Sequence, residues 1–315
     1  MKTAPFTLKL LHPRYWLVWL GLGFMALLAQ LPFRWQMCLG VYLGRLFYYC
    51  APRRRYITER NIELCFPQWV ADERNAFVFK HFETMGITVF EMGMSWFMPY
   101  SRLEKRFELK GLEHWQALKK QGKGALVIGM HFNTLEIANG PVNRLFNLHM
   151  TYRPHDNPAY DFIQCLGRER HNPNAGMVDR YDVRGMVKVL KKGDWLWYVP
   201  DQDYGPKVSE FVPFFGIDAA TVAATPRLLR MAKVPAVGIT FKRKDDLSGY
   251  VIEFLPPFQN LPSGDDAADL FALNQYFEQR IRENPSEYLW VHRRFKTRPK
   301  GEPSLYSTLV EKRRK

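Results

Sequence analysis

Strands alternating with helix-length segments place this chain in the α/β class, as a layered domain around a largely parallel central sheet. Three observations predict it. Gly124–Gly129 (GALVIG) is short and almost wholly apolar, as a strand buried on both faces is. Trp195–Val199 (WLWYV) and Ala236–Lys242 repeat that character, separated by stretches long enough for helices. Polar clusters follow directly after such runs, where ligands bind in open α/β sheets.

The 315 residues suffice for one large domain or two modest ones with a sizeable core. Forty-five Lys and Arg against 31 Asp and Glu give a net charge of +14, and nine Trp contribute to an aromatic content of 15%. Disorder is excluded by that composition, which points to acidic partners or an anionic membrane surface. Neither a zinc-finger spacing nor another nucleic-acid-binding signature is present, so no nucleic-acid partner is expected. The four cysteines (Cys38, Cys50, Cys65, Cys165) form no C-x-x-C pair, which argues against a disulfide framework and fits a reducing compartment.

Tyr15–Leu31 carries no charge and is bounded by Arg14 and by Pro32-Phe33-Arg34. It is expected to be a transmembrane helix near the short end of the usual ~17–25 residues, with Tyr15, Trp16, Trp19 and Trp35 at the interface. Met37–Ala51 is apolar but interrupted by Arg45, and reads as interfacial or packed on the soluble domain, not as a second span. The expected division is therefore a membrane anchor over 1–51, spanning at 15–31, and a catalytic domain over 52–315. The basic run Arg53-Arg54-Arg55 weakly favours a cytoplasmic location for that domain.

Asp72–Met98 reads as one or two helices with an apolar stripe. After the central strand come strands at Leu148–Tyr152, Trp195–Val199, Ala236–Lys242 and Tyr250–Phe254. The intervening helices are Tyr160–Arg170, Val183–Leu190 and Thr225–Ala232, with Leu270–Glu283 last.

The chemistry concentrates where the central strand ends. His131 lies in the strand-to-helix turn, Asn133 or Thr134 caps the helix starting near Leu135, and Glu136 falls in its first turn. On one continuous helix, residues five apart are rotated by roughly 140°. With His131 in the turn, Glu136 is instead expected to reach back, orient the imidazole and leave its other nitrogen as a general base. Two further strand exits carry Arg153 to Asn157 and Asp201 to Tyr204. Arg168 and Arg170 join from a helix as phosphate ligands, a role guanidinium geometry suits. A metal at His131, Asp201 and Asp203 is disfavoured, because no two histidines have ligand spacing and an acidic site wants more carboxylates.

Six motifs together carry a resemblance: LHPRYW at Leu11–Trp16, LCFP at Leu64–Pro67, HFNTLE at His131–Glu136, YRPHDNP at Tyr152–Pro158, PDQDYG at Pro200–Gly205 and HRRFKTRP at His292–Pro299. The chain resembles the late acyltransferases of lipid A biosynthesis, nearer the lauroyl and palmitoleoyl transferases than the myristoyl ones. Asn133 stands where the family is expected to carry an apolar residue. The resemblance implies a Gram-negative inner-membrane enzyme moving an acyl chain from acyl carrier protein to a 3-hydroxyacyl hydroxyl of Kdo2-lipid IVA. His131 and Glu136 would be catalytic, Arg153, Arg168, Arg170, Asp201 and Asp203 would bind substrate, and no cofactor or metal is required. Glycerol-phosphate or lysophospholipid acyl transfer, and non-catalytic binding of a lipid A precursor, are the alternatives.

Overall fold

A computed structural model describes residues 6–306. Its centre is a seven-stranded sheet built from β1 (Phe107–Lys110), β2 (Leu126–Ile128), β3 (Leu148–Tyr152), β4 (Met177–Asp179), β5 (Trp195–Tyr198), β8 (Ala236–Arg243) and β9 (Tyr250–Pro257), in the order β1-β9-β8-β2-β5-β3-β4. Every neighbouring pair is parallel except β8 with β9. The C-terminal ends of β2, β3, β4 and β5 therefore share one edge. Leu126, Val127 and Ile128 are buried at the middle of that sheet, as their unbroken apolar run requires.

Helices cover the sheet. The largest is α4 (Ala71–Phe97), a single helix of 27 residues that places Val78 and Phe82 in the main core. It follows α1 (Trp16–Leu28), α2 (Phe33–Cys50) and α3 (Pro52–Cys65) and precedes the short α5 (Tyr100–Leu103). The others are α6 (Leu112–Lys120), α7 (Leu135–Leu145), α8 (Pro158–Glu169), α9 (Val183–Lys191), α10 (Ala224–Ala232) and α11 (Asp266–Glu283). Trp115 of α6 stacks on Trp195 of β5, with ring centroids 4.9 Å apart, and closes one side of the core.

One expectation needs correction, and one element escapes the sequence pattern. A spanning helix over Tyr15–Leu31 does not form: α1 has 13 residues, about 20 Å at 1.5 Å per residue, against a hydrocarbon core of ~30 Å. The chain turns at Ala29–Leu31 and Pro32 caps α2, so α1 stops short of the end of the apolar run; among the described residues no helix is long and apolar enough to cross a membrane. The element is a hairpin, β6 (Ser209–Phe214) with β7 (Ile217–Val222), which the alternation pattern does not reveal. Its two turn residues, Phe215 and Gly216, both have positive φ (50° and 74°), as a type I′ turn demands. Asparagine or glycine normally fills the first position. Here Phe215 adopts it, held by its backbone N–H donating to Glu278 Oε1 at 2.8 Å.

Candidate active site

The shared strand edge opens on a cleft of about 390 Å³ whose walls include His131, Arg153, Arg168, Arg180, Gln202 and Tyr204. His131 follows β2, and Asp201 follows the neighbouring β5. The His131 backbone N–H donates to Asp201 Oδ2 at 3.1 Å, and its Nδ1 lies 2.6 Å from Oδ1. The carboxylate is fully buried, whereas the imidazole is 28% exposed. Burial alone would push the Asp201 carboxyl up. The charge of His131 and its two hydrogen bonds more than offset this and hold the carboxyl below its usual value. An ionised Asp201 fixes the proton on Nδ1 and leaves a basic lone pair on Nε2, which has no hydrogen-bond partner among the described residues. That is the geometry of an oriented general base.

Glu136 occupies the first turn of α7, as its position in the sequence predicts, but the expected bond to His131 is not formed. Its carboxylate accepts from Trp96 Nε1 at 2.7 Å, from Arg168 Nε at 3.0 Å and from Arg168 Nη2 at 2.7 Å. The reason is competition. A guanidinium fork offers two charge-assisted bonds where an imidazole offers one, and Asp201 already occupies Nδ1. Burial opposes ionisation of Glu136, yet Arg168, the Trp96 N–H and His171 together keep its carboxyl below the ordinary value. Gly167 makes the meeting possible: a Cβ there would lie 2.5 Å from Trp96 Cγ, so only glycine lets α8 approach α4 closely enough.

The other expected residues are dispersed. Arg153 stands exposed at the cleft wall and pairs with Asp156 at 3.0 Å. Arg168 lines the cleft with its charge spent on Glu136. Arg170 points elsewhere, its Nη1 donating to the Trp96 carbonyl at the end of α4, 2.5 Å away. Asp203 is buried and accepts from Thr297 N–H, Thr297 Oγ1 and Gly205 N–H at 2.7, 2.9 and 2.8 Å, which ties the β5 exit to the C-terminal segment. His292 Nε2 accepts the Asp203 N–H at 3.1 Å, and burial, then the charge of His131, lower its imidazole to about 4. Among the described residues no group of three His, Cys, Asp or Glu is arranged to hold a metal ion.

A strap following α11 holds the histidine turn as well, and its Tyr288 hydroxyl donates to Asp201 O at 3.4 Å. Phe132 bridges to Tyr288, Asn133 N–H donates to Glu287 O at 2.6 Å, and Leu289 N–H donates to His131 O at 2.9 Å. Beneath it, buried Arg243 of β8 donates from Nε and Nη2 to both oxygens of Glu91 at 2.7 Å and from Nη1 to Glu287 at 3.1 Å. Sequence reasoning missed this strap and missed Arg180, because neither is near His131 in the chain.

Comparison with known proteins gives a consistent result. A family described as bacterial lipid A biosynthesis acyltransferase matches residues 3–297. The lipid A biosynthesis lauroyltransferase of Escherichia coli is 44% identical over 306 residues, covering 96% of this chain and 98% of the relative. The palmitoleoyltransferase of the same organism is 40% identical over 302 residues, with coverage of 96% and 98%. Its myristoyltransferase is 28% identical over 305 residues, covering 94% and 91%.

Proposed function

The chain belongs to the bacterial lipid A biosynthesis acyltransferase family and is an acyltransferase, and from that premise we propose that it transfers a fatty acyl chain from acyl-acyl carrier protein to a 3-hydroxyacyl hydroxyl of Kdo2-lipid IVA. The observation that carries the mechanism is the His131–Asp201 pair facing the cleft. Nε2 of His131 removes the proton as the hydroxyl oxygen attacks the thioester carbonyl. The C–O bond forms, the tetrahedral intermediate collapses with loss of the C–S bond, and the same proton passes to the departing thiolate. A base of this kind is worth about 10²–10⁴-fold in rate. Glu136, through Trp96 and Arg168, builds the wall against which the reactants are held.

Association with the bilayer is part of the same proposal. On α2, Trp35, Leu39, Tyr42, Leu46 and Tyr49 recur every three or four residues and all are exposed, so they form one outward stripe. On α1, Leu17, Leu20, Phe24 and Leu27 face outward as well. Such faces lie in the membrane interface, flanked here by Arg14, Arg34 and Arg53 for anionic headgroups. The lipid acceptor then arrives from the surface on which the enzyme sits.

Mass spectrometry of Kdo2-lipid IVA after incubation with a panel of acyl carrier proteins of differing chain length tests the reading. One added acyl chain is expected, with a preference among donors. No gain in mass at high enzyme concentration, or preferential acylation of glycerol phosphate or a lysophospholipid, would refute it.

A further inference from the structure

Three arginines line the cleft, and their partners separate them. Arg168 is bidentate on Glu136 and Arg153 pairs with Asp156. Arg180 makes no ion pair among the described residues. It is placed by a tight turn after β4: its backbone N–H donates to Tyr152 O at 2.9 Å, and Tyr181 N–H donates to Asp179 Oδ1 at 2.8 Å. The guanidinium carbon lies 4.8 Å from the Tyr181 ring centroid and 5.2 Å from that of Tyr204, and Nη2 donates to the Tyr181 hydroxyl at 2.8 Å. Its Nε is buried with no hydrogen-bond partner. Aromatic faces hold the guanidinium in place without neutralising it, so a full positive charge with an unanswered donor stands in the same cleft as His131.

Resting on the acyl-transfer reading above, we propose that Arg180 is the phosphate-binding residue of this cleft. It takes the place the sequence gives to Arg168 and Arg170, whose guanidinium groups the fold commits to Glu136 and to a helix carbonyl. The planar fork suits the non-bridging oxygens of a phosphate, and the Tyr181 and Tyr204 rings fix its plane in advance. Two substrates of the proposed reaction carry phosphate: the glycolipid acceptor, as a phosphomonoester, and the carrier protein, as the phosphodiester of its pantetheine arm.

Binding to the full chain, without turnover, distinguishes these sources. Four ligands are needed: a bisphosphorylated acylated glucosamine disaccharide, its dephosphorylated form, an acyl-4′-phosphopantetheine and an acyl-pantetheine. The unaltered protein should favour one phosphorylated ligand over its phosphate-free counterpart. Arg180→Gln should weaken that ligand about ten- to hundredfold, leave its phosphate-free form unchanged, and so abolish the preference; Arg180→Lys should restore part of it. The pair that responds identifies the source. Thermal denaturation of both variants should match the unaltered protein, since the side chain is only half-buried. A phosphate preference that survives Arg180→Gln, or no preference in the unaltered protein, overturns the inference. Failure of acyl transfer refutes the functional reading separately, because this measurement does not depend on turnover.

Discussion

His131 and Asp201, 70 residues apart in the chain, meet with 2.6 Å between Nδ1 and Oδ1. Adjacent parallel strands bring them together, since β2 and β5 pair directly and both residues follow the ends of those strands. The carboxylate sets which nitrogen carries the proton. Asp201→Asn retains the size but not the charge, so kcat should fall by about two to four orders of magnitude. Combining it with His131→Ala should cost little beyond His131→Ala alone, because both changes remove one function. Multiplying losses in steady-state kinetics would show that Asp201 acts independently of the imidazole.

Glu136 and Arg168 present the opposite case, a buried pair whose halves cannot be removed singly without leaving a charge behind. Glu136→Gln and Arg168→Met should each destabilise the fold by about 3–5 kcal/mol, visible as a lower denaturant midpoint, and lower turnover as well. The Glu136→Gln defect should multiply with that of His131→Ala, since the two side chains make no direct bond. A strongly sub-multiplicative double variant would instead place Glu136 and the histidine in a single unit.

Stability should fall on mild acidification. Burial lowers His81, His171 and His292 to about 4, so they are neutral in the folded protein, while an unfolded chain protonates them near 6.5. Between those values the unfolded state binds more protons, which makes stability rise with pH across about 4 to 6.5. The depressed carboxyls of Glu136 and Asp201 extend the loss below the ordinary carboxylate range, where the unfolded forms protonate first. Urea midpoints measured from pH 7.5 down to 4.5 should decline steadily, with a shallower slope in His171→Gln. A flat profile would show that these histidines titrate alike in both states.

Arg243 links two carboxylates to the strap beside His131. Arg243→Met leaves Glu91 and Glu287 buried without their counter-ion, and should cost about 3–5 kcal/mol. Activity should fall even under conditions where the variant is fully folded, because Glu287 and Leu289 fix the His131 turn through their backbones. Full kcat in a folded Arg243→Met protein would show that the turn holds itself.

The central strand and the residue at its exit were legible because an unbroken apolar run has few other places to go than a sheet buried on both faces. Asp201 reads from the sequence as a polar substrate-binding residue at a strand exit, and Glu136 as the partner of His131, whereas it is Asp201 that accepts the hydrogen bond from Nδ1. Local spacing offers partners only from the same segment, whereas a parallel sheet brings neighbours from across the chain. The hairpin at Phe215-Gly216 stayed hidden because Phe215 enters a positive-φ turn that ordinarily announces itself by asparagine or glycine. Tyr15–Leu31 differs in another way: its apolar character is real, but a turn at Ala29–Leu31 ends its helix after 13 residues.

The contact between α2 and α4 has a mechanical consequence. A Cβ at Gly44 would lie 2.1 Å from Phe82 O, one at Gly86 2.2 Å from Gly40 O, and one at Gly40 2.6 Å from Ile87 Cα, so the two backbones touch with nothing compressible between them. Neither helix can roll or slide without driving backbone into backbone, so the pair is expected to move as one stiff lever. Its outer arm is the exposed stripe of α2; its inner arm ends at Ser95 and Trp96, which bond the carbonyl and the carboxylate of Glu136. On the interfacial placement proposed above, lateral pressure on the stripe should pass to the cleft wall, and turnover should vary with how tightly the surrounding lipids are packed. Comparing kcat in loosely and tightly packed vesicles reads that transmission directly, and identical values in both would show that the lever carries no load.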